Sequence, residues 1–313
     1  MSLLSIVANA CGEVGLTVPT AVFTNSDANI VQMLYLAQRT GKELAENTQA
    51  AGYWERLRVQ YTLTTVGYGP YTCTITAGST TISAISNMTG IAVGQQVYAS
   101  GLVNDTIVLS VGASSVVVSQ APTSTITLTG QSVVFAQEAY PLPADLAYII
   151  NQTEWDRNFR WQLLGPINAQ EWQVIKSGIS PVGPRMRFRI FGGNFNINPV
   201  GSASSVYTDT IALEYVSSNW VATAAAPTVP AQSAFAQDTD VSLISEDLLT
   251  IGIKWRFLKA KGLAYEDDFQ QYQDKYNKLI GRDAAARNLP LNARAGGVRL
   301  LNSANVPDTG FGS

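Results

Sequence analysis

Residues 245–273 read SEDLLTIGIKWRFLKAKGLAYEDDFQQYQ, and two helical repeats follow one another in this stretch. Ser245 supplies a side chain that can cap a helix start. The first apolar face comprises Leu248, Leu249, Ile251, Gly252, Trp255 and Leu258, and the second comprises Tyr265, Phe269, Tyr272, Tyr276 and Leu279. This spacing predicts two helices within residues 238–281. We expect the aromatic stripe to pack against the Trp255 helix or against the second helix of the chain.

Two further helices are predicted near the beginning of the chain, within residues 1–61. The first carries Leu3, Leu4, Val7, Ala10, Cys11 and Val14 and ends at Gly15; the second begins at Ser26 or Asp27, carries Ile30, Leu34, Ala37, Gly41, Leu44 and Ala45, and reaches about Thr48. We expect these two helices to pack together, and YWERLRVQY at 53–61 to lead out of them. The predicted fold class is therefore α+β, with a helical bundle formed by both chain ends.

Residues 62–136 differ sharply from their surroundings, because they contain no Lys or Arg and a single acid, Asp105. Runs of Thr, Ser, Val and Ile between turn residues predict short strands. We interpret this segment as an inserted small β-sandwich, which could be a plain spacer or a binding module. Asp105 is interpreted as a turn residue rather than a calcium ligand, since it has no acidic companions.

An antiparallel β domain is predicted at 137–237. Trp155, Trp161 and Trp172 are candidate core or inter-subunit anchors. On the alternating strand at 185–190, Arg185, Arg187 and Arg189 share one face and Met186, Phe188 and Ile190 share the other. The arginine face is open to three interpretations: a docking strip for an acidic neighbour, which we prefer, a guide for nucleic acid, or a solvated surface.

The composition argues against catalysis and against cofactor or metal binding. The chain contains no histidine, only two cysteines and no nucleotide-binding glycine motif. The pairs Glu154 with Asp156 and Asp267 with Asp268 are interpreted as surface groups. A net charge of -3 does not favour tight binding to a phosphate backbone. We also expect no signal peptide, no membrane span and a reducing, cytosolic origin.

The order of these features resembles the head-to-tail adaptor proteins of tailed bacteriophages, also described as head-completion or tail tubular proteins. The resemblance lies in SLLSIVANACGEVGL (2–16), ANIVQMLYLAQRTGKEL (28–44), YPLPADLAYIINQTEWDRNFRWQLLGPINAQEW (140–172), RMRFRIFGGNFNINP (185–199), IALEYVSSNWV (211–221) and residues 245–273. Residues 80–130 resemble the immunoglobulin-like modules that recur as insertions in virion proteins.

The resemblance implies a structural virion protein at the head-tail interface, assembled in the host cytoplasm and without enzymatic activity. Its subunits would form a ring, usually of twelve copies, under the portal protein. The ring would extend the DNA channel, pass the genome without sequence-specific binding, and give a platform to a tail nozzle or other tail protein. Two alternatives stay open: a tail nozzle or collar ring, and a carbohydrate-binding adhesin that presents the β insert.

The last segment, 282–313, mixes flexible residues with spaced apolar and basic ones and lacks sustained periodicity. We expect it to be an extended arm that orders on a partner, which the resemblance identifies as the portal. The expected docking residues are Arg287, Leu289, Leu291, Arg294, Val298, Arg299, Leu300 and Leu301. Residues 254–299 contain ten basic and five acidic residues, so the two ends of the subunit differ in charge.

Overall fold

The computed structural model describes residues 2–46, 54–177, 185–202, 205–206 and 208–283, with the backbone alone at 201–206. Its helices are α1 (Leu3–Val14), α2 (Ala28–Glu46), α3 (Ala169–Lys176), α4 (Glu246–Ala260) and α5 (Glu266–Asp283). Its strands are β1 (Arg58–Thr64), β2 (Gly67–Ile75), β3 (Thr81–Ser83), β4 (Gln96–Ala99), β5 (Val108–Val111), β6 (Val116–Val118), β7 (Leu128–Ala136), β8 (Ala139–Pro141), β9 (Leu146–Ile149), β10 (Trp155–Asp156), β11 (Trp161–Gln162), β12 (Arg187–Phe191), β13 (Asn194–Asn198), β14 (Gly201–Ser202), β15 (Ser205–Val206), β16 (Thr210–Ser217), β17 (Val221–Ala222) and β18 (Val241–Ser242). The α+β class is confirmed.

The four predicted helices are confirmed, and their ends follow local chemistry. Ser2 caps α1, and Gly15 ends it in the left-handed conformation (φ 77°). The Asp27 carboxylate accepts a hydrogen bond from the Asn29 N–H at 2.8 Å, which fixes the start of α2. Ser245 occupies the cap position of α4 without donating or accepting a capping hydrogen bond through its side chain.

Helix α4 is the centre of the helical part. Helices α1, α2 and α5 all pack on it, and α1 and α2 also contact each other in the same core, as expected, but less extensively than each contacts α4. Helix α4 takes the central place because it is buried on nearly every side, including Leu249, Gly252 and Phe257. The aromatic stripe of α5 packs on Trp255, as expected: the ring of Phe269 meets it edge-on at 4.9 Å.

The central part holds two antiparallel sheets. Strand β16 pairs with β1 on one side and with β9 and β10 on the other, and β11 follows β10. A second sheet has the order β12-β13-β8. Strand β1 runs across the expected boundary between residues 61 and 62, because it completes the β16 sheet; the distinct inserted sheet begins only at Gly67.

Residues 67–136 form one six-stranded sheet in the order β4-β7-β2-β3-β6-β5. Its ends meet: the Val97 N–H donates to the Thr106 carbonyl at 2.8 Å, and the Val108 N–H donates to the Gln95 carbonyl at 2.9 Å. The result is a small closed barrel rather than the expected two facing sheets. Irregular pairing between β2 and β7 and between β5 and β6 adds the twist that curls the sheet shut.

Three hydrophobic cores correspond to these parts. One lies among the helices, one between the two central sheets, and one inside the barrel around Phe135, Val108 and Ile82. Strand β16 joins the first two, because Val216 belongs to the helical core while Ile211 and Leu213 belong to the central one.

Candidate interaction surfaces

The two carboxylate pairs have different environments, and the expectation that both lie on the surface is wrong for the first pair. Glu154 and Asp156 are buried rather than on the surface. Glu154 is only 1% exposed and accepts hydrogen bonds from the backbone at 152–154, while burial raises its pKa. The Asp156 carboxylate accepts from the Asn158 N–H at 2.8 Å, so it shapes the turn after β10. Asp156 therefore stabilises the local backbone, whereas the buried Oε1 atom of Glu154 has no hydrogen-bond partner among the described residues.

The second pair, Asp267 and Asp268, lies at the start of α5. Asp267 is exposed, and the Asp268 carboxylate pairs with the Lys254 ammonium at 3.0 Å. Acidic groups in the first turn of a helix also interact favourably with the helix dipole. Among the described residues no group of three His, Cys, Asp or Glu side chains could hold a metal ion.

The three candidate tryptophans have different environments. Trp172 of α3 is buried, and the Lys176 ammonium lies 5.6 Å from the centre of its ring. Trp155 is half-buried and lines a cleft of about 600 Å³ on the outer face of the β16 sheet. Trp161 is 36% exposed. Strands β10 and β11 pair, but Trp155 lies opposite Gln162 and Trp161 opposite Asp156, so the two tryptophans point to opposite faces of the hairpin and the three candidates do not form one site.

The turn between β10 and β11 forms a basic aromatic tip, which we define as Arg157, Phe159, Arg160 and Trp161. Phe159 is 57% exposed, and its ring lies 6.2 Å from that of Trp161. The sequence identified Trp161 but gave no reason to expect Phe159 at the surface, since core and surface aromatics look alike in a sequence. Exposed aromatic and arginine side chains are the usual anchors of protein interfaces.

The strand with Arg185, Arg187 and Arg189 alternates as predicted over most of its length. The three arginines are half-buried, and Met186 and Phe188 on the other face are buried. Ile190 was expected to share that inner face but is exposed, because β12 runs past the core towards the turn at Gly192 and Gly193. The Arg189 guanidinium stacks 4.9 Å from the ring centre of the exposed Phe191.

A polar cluster joins the barrel to α3, and we call it the joint: Lys176, Asp105, Glu138 and Gln96. The Lys176 ammonium, 8% exposed, contacts the carboxylates of Asp105 at 2.6 Å and Glu138 at 2.5 Å. The side-chain amide of Gln96 donates to the same two carboxylates. Burial raises the pKa of Glu138, and the neighbouring Lys176 opposes that shift.

The joint also holds the end of α3. The side-chain amide of Asn104 donates to the Lys176 carbonyl at 2.9 Å, which satisfies a carbonyl left free at a helix end. Asp105 lies in a turn with φ 61°, a conformation that Asp tolerates. Its interpretation as a turn residue is confirmed, and the single acid of the 62–136 segment also fixes where the barrel sits, which the sequence did not reveal.

Two grooves flank the helical part. One, of about 910 Å³, lies between the exposed side of α2 and residues 147–148, 218 and 233–234. The other, of about 660 Å³, lies between α1 and the parts of α4 and α5 around Asp247 and Lys275. The first is lined by Arg39, Lys42 and Glu46, and the second by Glu13, Asp247 and Lys275, so their charges differ in sign.

The expected docking residues of the last segment all lie beyond Asp283, outside the described residues. These are Arg287, Leu289, Leu291, Arg294, Val298, Arg299, Leu300 and Leu301. No helix in the described part of the chain has both the length and the apolar character that a membrane crossing requires.

An α+β protein with exposed aromatic side chains, a small barrel and oppositely charged grooves has surfaces suited to binding other proteins. The model of the SU10 adaptor protein family matches residues 110–297, which is three fifths of the chain. The protein therefore belongs to this family of phage adaptors, and a structural role follows. The match starts within β5 and leaves α1 and α2 outside. A comparison with curated proteins finds no match.

Proposed function

We propose that the protein is a head-to-tail adaptor whose copies form a ring, of twelve subunits, beneath the phage portal. The observation that carries this proposal is the match to the SU10 adaptor family over residues 110–297. The ring prolongs the DNA channel and offers a platform to a tail nozzle or another tail protein. It acts by binding, and DNA passes through it without sequence-specific contacts.

The surfaces described above support such a role. A ring requires heterologous contacts, in which one patch of a subunit meets a different patch of the next. Only 14% of the residues are charged, which suits a surface that faces other proteins. Of the candidate contact residues, Trp161 is exposed and Trp172 belongs to the core. Trp155, Arg185, Arg187 and Arg189 are half-buried, and together with Trp161 they belong to our proposed interfaces.

The decisive experiment mixes the purified protein with portal rings and images the product by electron microscopy. We expect a second ring, of twelve copies, stacked on the portal. A ring that forms only on tail tubes lacking a portal would indicate a nozzle or collar protein instead. Binding of the isolated barrel to glycans, together with no binding to portals, would indicate an adhesin.

We further propose that the segment after Asp283 is the portal-docking arm. Its motivation is compositional: Leu289, Leu291, Val298, Leu300 and Leu301 alternate with flexible residues and with Arg287, Arg294 and Arg299. A chain that ends at Asp283 should keep the melting temperature of the full protein but lose binding to portal rings, as measured by sedimentation. Undiminished assembly on portals would refute the arm while leaving the adaptor role intact.

A further inference from the structure

Helix α2 presents one stripe of side chains to solvent. Its inner side carries Met33, Ala37 and Gly41, which are buried. Its outer side carries Tyr35, Arg39 and Lys42, three exposed residues at the spacing of a single helix face, which we call the basic stripe. Tyr35 is 68% exposed, so most of its ring is available for contact with another molecule.

The groove between α1, α4 and α5 has the opposite character, and we call it the acidic groove. Glu13, Asp247 and Lys275 line it, so its charged lining is negative by one, and Gly12, Val18 and Ile251 give it an apolar wall. Val18 is itself largely exposed. Asp247 pairs with Lys275 at 3.1 Å and Glu13 with Lys254 at 3.4 Å, while Lys42 of the stripe lies 3.8 Å from Glu46. The side chains of Asp247 and Glu13 are 77% and 46% exposed, so both acids stay accessible to a second cation, and such partly exposed pairs contribute little to stability.

The stripe and the groove lie on opposite sides of the helical part. Arg256 of α4 faces α2, because its guanidinium reaches the Thr40 hydroxyl and the Glu43 carboxylate. Asp247 precedes Arg256 by nine residues, which at 3.6 residues per turn places it about half a turn away around α4. The acidic groove therefore faces away from α2, and the basic stripe lies on the far side of α2 from α4.

We propose that the basic stripe of one copy lies in the acidic groove of the next copy. The occupant is a second copy because the two surfaces are complementary in charge and face in opposite directions, as a heterologous ring contact requires. Tyr35 inserts against Val18, and Arg39 and Lys42 face Glu13 and Asp247. Because it names the contact that builds the ring, the inference rests on the proposed function.

Charge reversal tests the contact in three arms. The stripe variant is Arg39→Glu with Lys42→Glu, and the groove variant is Glu13→Lys with Asp247→Lys. Each variant alone should form at least about tenfold fewer rings on portals than the unmodified protein, because like charges then meet at every contact. An equal mixture of the two variants should restore rings. In a ring of alternating variants, each reversed stripe meets a reversed groove, and each unmodified stripe meets an unmodified groove, so opposite charges meet at every contact.

A matched control reverses Lys261 and Lys278 to Glu, two exposed cations outside both surfaces, and should leave ring formation unchanged. Melting curves confirm that each variant is folded. If the unmodified protein forms rings and either reversed variant does so equally well, or the mixture fails to recover them, the contact is refuted while the adaptor role stands.

A second readout does not depend on ring formation. Tyr35→Cys and Val18→Cys copies, mixed and oxidised, should give a heterodimeric disulfide, because the native Cys11 and Cys73 are buried. Each cysteine variant oxidised alone should give little cross-link. If no rings form but the heterodimer does, the adaptor proposal fails and the contact stands; absence of the heterodimer refutes the contact.

Discussion

Asp209, which immediately precedes β16, is a carboxyl group in an unfavourable place. It is 4% exposed, and its Oδ2 atom has no hydrogen-bond partner in the described part of the chain. Burial raises the pKa of Asp209 to about 6, and the nearby Asp156 carboxylate adds to the shift. The folded protein thus holds a proton that the unfolded chain, with an ordinary Asp pKa, releases at lower pH.

The sign of the pH dependence follows from this difference. Between about pH 4 and pH 6 the folded state binds more protons than the unfolded state, so stability falls as pH rises through that window. Asp209→Asn removes the titration and should raise the free energy of unfolding at pH 8 by about 1 to 3 kcal/mol. Urea unfolding of both proteins at pH 4 and pH 8 measures this difference in the free energy of unfolding. We expect almost no difference at pH 4, and an equal gain at both values would contradict the assignment.

Residue environments were the part that the sequence predicted least well. Glu154 and Asp156 look like surface acids in a polar segment, yet both are buried; backbone N–H groups satisfy Asp156, while the Oε1 atom of Glu154 has no partner in the described part of the chain. Such satisfaction depends on how the backbone turns after β10, and no side-chain pattern announces it. The exposure of Phe159 was not predicted either, because nothing in the neighbouring sequence distinguishes an exposed phenylalanine from a buried one.

At the scale of elements, Gly41 sets how closely α2 approaches the core. A Cβ atom built on it would lie 2.1 Å from the buried ring of Trp220. Gly41→Ala should therefore destabilise the protein by about 1 to 3 kcal/mol, since overpacking outweighs the better helix propensity of alanine. Gly12→Ala in α1 is the matched control, because a Cβ there meets nothing within 4 Å. Thermal melting should show a lower melting temperature for Gly41→Ala and no decrease for Gly12→Ala.

The joint gives a second element-scale prediction. Lys176→Met leaves the carboxylates of Asp105 and Glu138 close together without their cation, and should cost about 2 to 4 kcal/mol in urea unfolding. Adding Asp105→Asn and Glu138→Gln removes both stranded charges and should recover most of that loss. If the triple variant is no more stable than Lys176→Met alone, the ion pairs are not the source of the effect.

Helices were predicted better than strands, for a physical reason. The repeats of α1, α2, α4 and α5 are local, and caps such as Asp27 and Gly15 mark their ends. Packing partners are not local: the sequence predicted a bundle formed by both chain ends but did not identify α4 as the helix that contacts the other three. The barrel strands were recognised from composition, whereas closure depends on the meeting of residues 95–97 with 106–108, which alternation alone does not specify.

At the scale of the whole molecule, the barrel has its own core and is joined to the rest of the protein, which we call the body, by two adjacent chain segments. The Gln137 N–H donates to the Val66 carbonyl at 2.9 Å, so the chain enters and exits the barrel at one place. Deleting residues 67–136 and joining the ends should leave a folded body, because β1 and the Lys176–Glu138 pair remain. Circular dichroism should keep the helical signal and a cooperative melt. Loss of both would show that the barrel supports the body.

The family resemblance predicted an adaptor, and this prediction is confirmed at the level of the family. The composition break at 62–136 predicted an insertion, but its N-terminal boundary lies inside β1, and the barrel begins only at Gly67. The boundary was displaced because β1 shares the Thr-rich texture of the barrel while pairing with β16. The scarcity of charged residues reflects how little of a strand faces water, whereas strand pairing is set by residues that are distant in the sequence. Composition therefore could not separate β1 from the barrel strands.

The adjacent ends of the barrel have a consequence beyond stability. The coding segment between Val66 and Gln137 can be replaced by one for another module with closely spaced ends, because such a module closes the same gap in the chain. The replacement leaves the path of the body's chain unchanged, and it has to supply new contacts only where the barrel meets α3. A foreign domain can be inserted between Val66 and Gln137 for the same reason.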